Sequence, residues 1–136
     1  MDQLSILEKL ESAPGATFEV LDATKSKRLG GVKTLYIPSV ADVAGVIQAI
    51  PEGETRTIEN LRNDLAKTAQ ADTACPAKTI KYWKWMASLS EDNLSKNPDY
   101  RIPWWRVLKD GRPSRHMPGG IENQILLLKA EGVSSR

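Results

Sequence analysis

The sequence predicts an α+β domain that is mostly helical, and two observations carry that reading. From Ser39 onward apolar residues recur at helical spacing between capping residues and proline or glycine stops. Before Ser39, two short stretches of strand-forming residues, FEVL and TLYI, lie on either side of a loop. A chain of 136 residues with 40% hydrophobic composition is long enough for one ordinary domain plus a short addition. The expected division is an N-terminal extension over 1–38, made of a short helix and extended segments, and a main domain over 39–136.

The first element is a short helix over 4–12, where Leu4, Ile6, Leu7 and Leu10 give an imperfect apolar stripe that stops near Pro14-Gly15. The two extended stretches follow, separated by a Lys/Arg-bearing loop with Gly30-Gly31. Ser39 is placed to cap a helix through Ile50, with Val40, Val43, Ile47 and Ile50 at helical spacing and Pro51 closing it. Beyond the turn Pro51-Glu52-Gly53-Glu54, Thr57 caps a second helix to about Ala69, in which Ile58, Leu61 and Leu65 share a face. Pro76 suits the first position of a third helix, to about Ser88, because its missing N–H is one of the donors a helix start leaves unpaired. Joined by Gln70 to Cys75, these two helices read as a helix-turn-helix.

Projected at about 100° per residue, the third helix puts Ile80, Ala87, Trp83, Thr79 and Met86 on one side. Lys78, Lys81, Lys84 and Trp85 fall on the other, three positive charges around a tryptophan expected to be exposed. Lysines can engage phosphates while an aromatic ring stacks on bases. Equally, the lysines can be simply solvated and Trp85 packed against the C-terminal part of the chain. The surrounding charge is consistent with a polyanion: residues 76–116 carry 9 Lys+Arg against 4 Asp+Glu, whereas residues 1–75 carry 8 against 11. Residues 89–101 are expected to be loop, and IPWWRVLKDGRPS a buried strand or turn running into a polar loop. A helix opened by Gly119-Gly120 and stopped by Gly132 closes the chain, with Ile121, Ile125 and Leu128 marking its apolar face.

Several function classes are disfavoured by composition. One cysteine, Cys75, forms no internal disulfide framework, and with one histidine, His116, it makes no common zinc site, so neither metal nor cofactor is expected. No apolar run approaches the roughly 18 to 20 residues of a membrane span, and MDQLSILEKL is unlike a signal peptide, so the expectation is a cytoplasmic protein without a membrane partner.

Four segments, within the seven tenths of the chain from Ser39 onward, resemble the DNA-binding domain of the alkylguanine-DNA alkyltransferases (methylated-DNA-protein cysteine methyltransferases). IPEGETRT is similar to the family's turn into its first DNA-binding helix, and Cys75-Pro76 begins a segment similar to its recognition helix. Pro103-Trp104-Trp105-Arg106-Val107 resembles the Pro-Cys-His-Arg-Val active-site motif, and GGIENQILLLKAEG resembles the closing helix, at the family's spacing from that motif. The resemblance implies a winged-helix-like helix-turn-helix domain that binds double-stranded DNA. Trp104 stands at the acceptor cysteine, as in the alkyltransferase-like branch, and Trp105 replaces the activating histidine, while Glu131 matches the family's glutamate. Only an activated sulfur nucleophile takes the alkyl group by direct displacement, and an indole cannot serve, so alkyl transfer is expected to be absent.

That branch recognises alkylated guanine in a pocket and presents it to repair factors, which here implies a site at Trp104, Trp105, Arg106 and Glu131 and a repair-protein partner. Ile58 and Ile80 stand where the family has its phosphate-rotating tyrosine and intercalating arginine, so base flipping must differ or be lost. The two indoles either line a base pocket or fill it. Two other functions compete with DNA binding. Cys75, at the start of the third helix, could be a reactive thiol of an enzyme or sensor, or the fold could be a protein-interaction module that no longer binds DNA.

Overall fold

The computed structural model describes residues 12–92 and 102–133, which are mostly helical with two small sheets. Of the helix expected over 4–12, only Ser12 lies within the described residues. Strand β1 (Thr17–Val20) pairs antiparallel with β2 (Thr34–Ile37), Phe18 lying opposite Tyr36. Between them the expected loop contains a helix, α1 (Ala23–Arg28), capped by the Asp22 carboxylate, which accepts the Lys25 N–H at 2.8 Å. It has no buried residue. A helix that buries nothing has no apolar period to announce it, and this one rests on its cap.

Helix α2 (Val40–Gln48) starts in a capping box: the Ser39 hydroxyl accepts the Asp42 N–H and the Asp42 carboxylate accepts the Ser39 N–H, both at 3.1 Å. The same carboxylate accepts the Tyr36 hydroxyl at 2.5 Å, tying β2 to the helix start. Donation to a carboxylate favours the neutral phenol, and the Tyr36 pKa is pushed up to about 12. After the turn at 51–54 come β3 (Arg56–Thr57) and α3 (Ile58–Ala69), the latter again in a capping box, Thr57 with Asn60. Gln70 takes a left-handed conformation (φ 58°) that ends α3 and turns the chain into β4 (Thr73–Ala74). Strand β4 lies parallel to β2, giving the order β1-β2-β4, so residues 17–37 share a sheet with the helical part. Asp72 and Arg62 secure this junction. The Asp72 carboxylate accepts the N–H groups of Lys33 and Thr34, and Arg62 donates to the Ala74 carbonyl and the Thr73 hydroxyl.

Helix α4 (Pro76–Asp92) continues past its expected end near Ser88. Ser90 explains the extension: it is buried, and its hydroxyl accepts the Ile102 N–H at 3.0 Å. Tertiary packing therefore prolongs a helix whose local sequence reads as loop. Helices α2, α3 and α4 enclose the core, with Val43, Ile47, Leu61 and Trp83 fully buried. Each such large side chain contributes about 1.5–3 kcal/mol through removal of apolar surface from water.

A single 3-10 turn over Trp104–Arg106 leads into β5 (Val107–Leu108), which pairs parallel with β3. Helix α5 (Gly120–Ala130) closes the described chain. Its N-cap Gly119 has φ 75°, and a Cβ there would meet the Asn123 Cβ at 2.5 Å, so only glycine fits. The expected apolar face of α5 needs correction, because Ile121 is 44% exposed and Ile125 half-buried, whereas Gln124 and Leu128 point inward. Among the described residues no helix is long and apolar enough to cross a membrane.

Candidate functional site

Trp104, Trp105, Arg106 and Glu131 meet where the end of α2, the 3-10 turn and the C-terminus of α5 converge. Arg106 Nε donates to both Glu131 carboxylate oxygens (3.0 and 3.2 Å), one Nη donates to Oε2 at 2.6 Å, and the other donates to the Ile50 carbonyl at 2.8 Å. The side chains are 15% and 8% exposed. Hydrogen bonds from Arg106 hold the Glu131 carboxyl below the usual carboxylate range, and the same contact raises Arg106 above its ordinary value. A carboxylate committed to a bidentate arginine is a poor proton acceptor, so its chemistry here is that of a clamp.

The two indoles pack edge to face, ring centroids 6.0 Å apart, and the Arg106 guanidinium lies 5.7 Å from the Trp105 ring. Trp104 is 0% exposed and belongs to the core; Trp105 is 8% exposed. The Trp83 indole N–H donates to the Trp104 carbonyl at 3.0 Å, fixing the turn from beneath. The Trp104 indole N–H is buried and has no acceptor among the described residues.

Gln124 completes this region, and its role was not anticipated. Its amide donates to the carbonyls of Trp105 (3.1 Å) and Val107 (2.8 Å), and its oxygen accepts the Ser114 N–H (2.9 Å). One fully buried side chain thus satisfies three backbone groups of the segment that follows the tryptophans. The available signal was its position: Gln124 is one helical turn before Leu128, inside the stripe assigned to apolar residues.

On α4 the expected face is partly formed. Lys81 is exposed, and Lys78 and Lys84 are half-buried. Trp85 is not the exposed ring that the projection places there: it is half-buried, packed against the core and against Tyr82, centroids 5.7 Å apart. Tyr82 is itself buried, which widens the inward face beyond the arc first assigned to it. Lys81 Nζ sits 4.8 Å from the Trp85 centroid and Lys78 Nζ 5.7 Å from that of Tyr82. Such cation–π contacts contribute about 0.5–1 kcal/mol at accessible sites and orient the ammonium groups. Among the described residues none of the three lysines forms an ion pair.

Ile58 is core, and Ile80 is half-buried against it. Cys75 is half-buried, with its N–H donating to the Tyr36 carbonyl and its own carbonyl accepting from Thr79, so its backbone links β2 to the start of α4. Comparison with protein-family models, curated proteins and solved structures returns no match to this chain.

Proposed function

We propose that this protein binds double-stranded DNA without catalysing a reaction on it, as an alkyltransferase-like protein whose α3 and α4 act as the helix-turn-helix of a winged-helix-like domain. One observation carries the reading: α4 directs Lys78, Lys81 and Lys84 outward with no ion-paired carboxylate among the described residues, two of them seated on aromatic rings, while its opposite side is locked into the core. Unpaired cations held in fixed positions on a rigid helix suit phosphate contacts, which position a protein on duplex DNA. The motif around Trp104 supports the family reading, and the Arg106–Glu131 clamp supports a structural use of its polar residues. Full burial of Trp104 favours a filled pocket over one open to an extruded base. On this reading the protein engages the duplex surface first, and preference for alkylated guanine requires Trp104 to move.

The decisive experiment measures duplex binding across a salt series for the wild type and for the variant with all three lysines replaced by alanine. If each lysine neutralises one phosphate, the log-log salt slope falls by roughly 2.7, at about 0.9 per contact. An unchanged slope and affinity in a folded variant overturns the reading in favour of a protein partner for this face. In parallel, DNA carrying a labelled alkylguanine should leave no label on the protein, and labelling at Cys75 or elsewhere would reverse the non-enzymatic assignment.

A further inference from the structure

A second cationic feature lies away from α4, on the segment between β5 and α5. The chain reverses at Lys109-Asp110-Gly111-Arg112, where Lys109 and Arg112 exchange N–H···O bonds at 3.0 and 3.1 Å. Asp110 and Gly111 both have positive φ (54° and 76°), the combination that makes a tight two-residue reversal. Downstream, Ser114 is buried and held by Gln124, and its carbonyl accepts the Met117 N–H. The backbone is therefore fixed at both ends of a short segment that carries three cations. Lys109, Arg112 and Arg115, with His116 and Ile121 at the start of α5, border a cleft of about 380 Å³ in which Asp110 is the single acid. Arg112, Arg115 and His116 are exposed, and among the described residues none of the three cations forms an ion pair.

Three like charges on a rigid segment repel one another unless an anion lies among them. Here Asp110 is one carboxylate against three cations, and among the described residues no ion pair neutralises any of them, which leaves the cleft with a net positive charge. The cleft also has a fixed place relative to the helix pair. Because β3 and β5 run parallel, with Arg56 beside Val107 and Thr57 beside Leu108, the basic reversal and the start of α3 leave that strand pair at the same end.

We infer that this cleft is a second phosphate site, which takes a backbone phosphodiester of the same DNA duplex and extends the contact beyond α4. Arginine suits the role, since its planar fork donates two parallel hydrogen bonds to a phosphate. The inference rests on the DNA-binding reading and is tested so that the two fail separately. Arg112→Ala/Arg115→Ala should lower the salt slope of duplex binding by roughly 1.8, at about 0.9 per phosphate. Its melting temperature should match the wild type, since both side chains are exposed, and Arg112→Lys/Arg115→Lys should recover most of the slope. A wild type that binds duplex, with a double-alanine variant of unchanged slope, overturns this site and leaves the α4 reading standing. Should the wild type bind no duplex even at low salt, both fall. Inorganic phosphate, followed by NMR, separates the sources: saturable shifts at 109–116 without any duplex binding would identify a free phosphate-ester site and overturn the backbone assignment.

Discussion

The helical core over 39–88 and the segment over 102–131 are stabilised by different means. In the first, the starts of α2 and α3 are closed by their own neighbours, Ser39 with Asp42 and Thr57 with Asn60, and apolar residues at helical spacing fill the interior. In the second, regular structure ahead of α5 is brief, and long polar side chains hold the backbone in place: Arg106 joins Glu131 to Ile50, and Gln124 joins Ser114 to Trp105 and Val107. Many interchangeable contacts support the first region. The second depends on a few that cannot be exchanged, because removing one partner leaves a buried polar group unsatisfied.

That contrast is open to direct attack. The largest effect should come from Arg106→Ala, which strands the Glu131 carboxylate in a mostly buried position and should cost about 3–5 kcal/mol in urea unfolding. A loss under about 1 kcal/mol would mean that water reaches Glu131 freely and that the clamp is a surface pair. The pH dependence follows from the same contact. Glu131 has a depressed carboxyl pKa when folded, so its contribution is complete above the unfolded value of roughly 4.3 and is lost as pH falls through the folded value. Unfolding of the wild type and of Glu131→Gln between pH 7 and pH 2 should therefore show a stability gap that narrows only on the acid side.

Next in size is Gln124→Leu, close in volume and more apolar, which should still destabilise by about 2–3 kcal/mol because backbone groups of 105, 107 and 114 lose their partner. If leucine proves neutral or stabilising, the segment is held by packing and the contrast between the regions dissolves. Thr57→Ala should cost only about 1 kcal/mol, the ordinary effect of losing an N-cap, with the rest of α3 still held by its buried face. Hydrogen exchange sharpens the point. Cap loss should raise exchange only in the first turn of α3, whereas Gln124→Leu should raise it across 105–114.

The helices from Ser39 to Ala69, the start of the third at Pro76 and the two early strands were legible because their cues are local: a cap, a stop, and an apolar period that repeats every turn or every second residue. Helix α1 was hidden because it buries nothing, and the extension of α4 to Asp92 because its reason, the Ser90 contact to Ile102, lies twelve residues further on. At the candidate site, the family resemblance grouped Trp104, Trp105, Arg106 and Glu131, and the helical projection put Lys78, Lys81 and Lys84 on one side of a helix. Neither could assign burial. An angular projection treats Trp85 and Tyr82 as positions on a circle, while their actual exposure depends on how the aromatic rings of α4 pack together and against the core.

Sequence alone determined the order of the four helices from Ser39 onward, the capped starts of the first two and the segregation of positive charge, since each follows from residues within a few positions of one another. Tertiary structure decided which polar groups became internal. It turned Glu131 into the partner of Arg106 across 25 residues, made Gln124 a backbone ligand and sealed Trp104 in the core. The physical reason is that burial of a polar group depends on whether distant segments bring it partners, and no local pattern encodes that meeting.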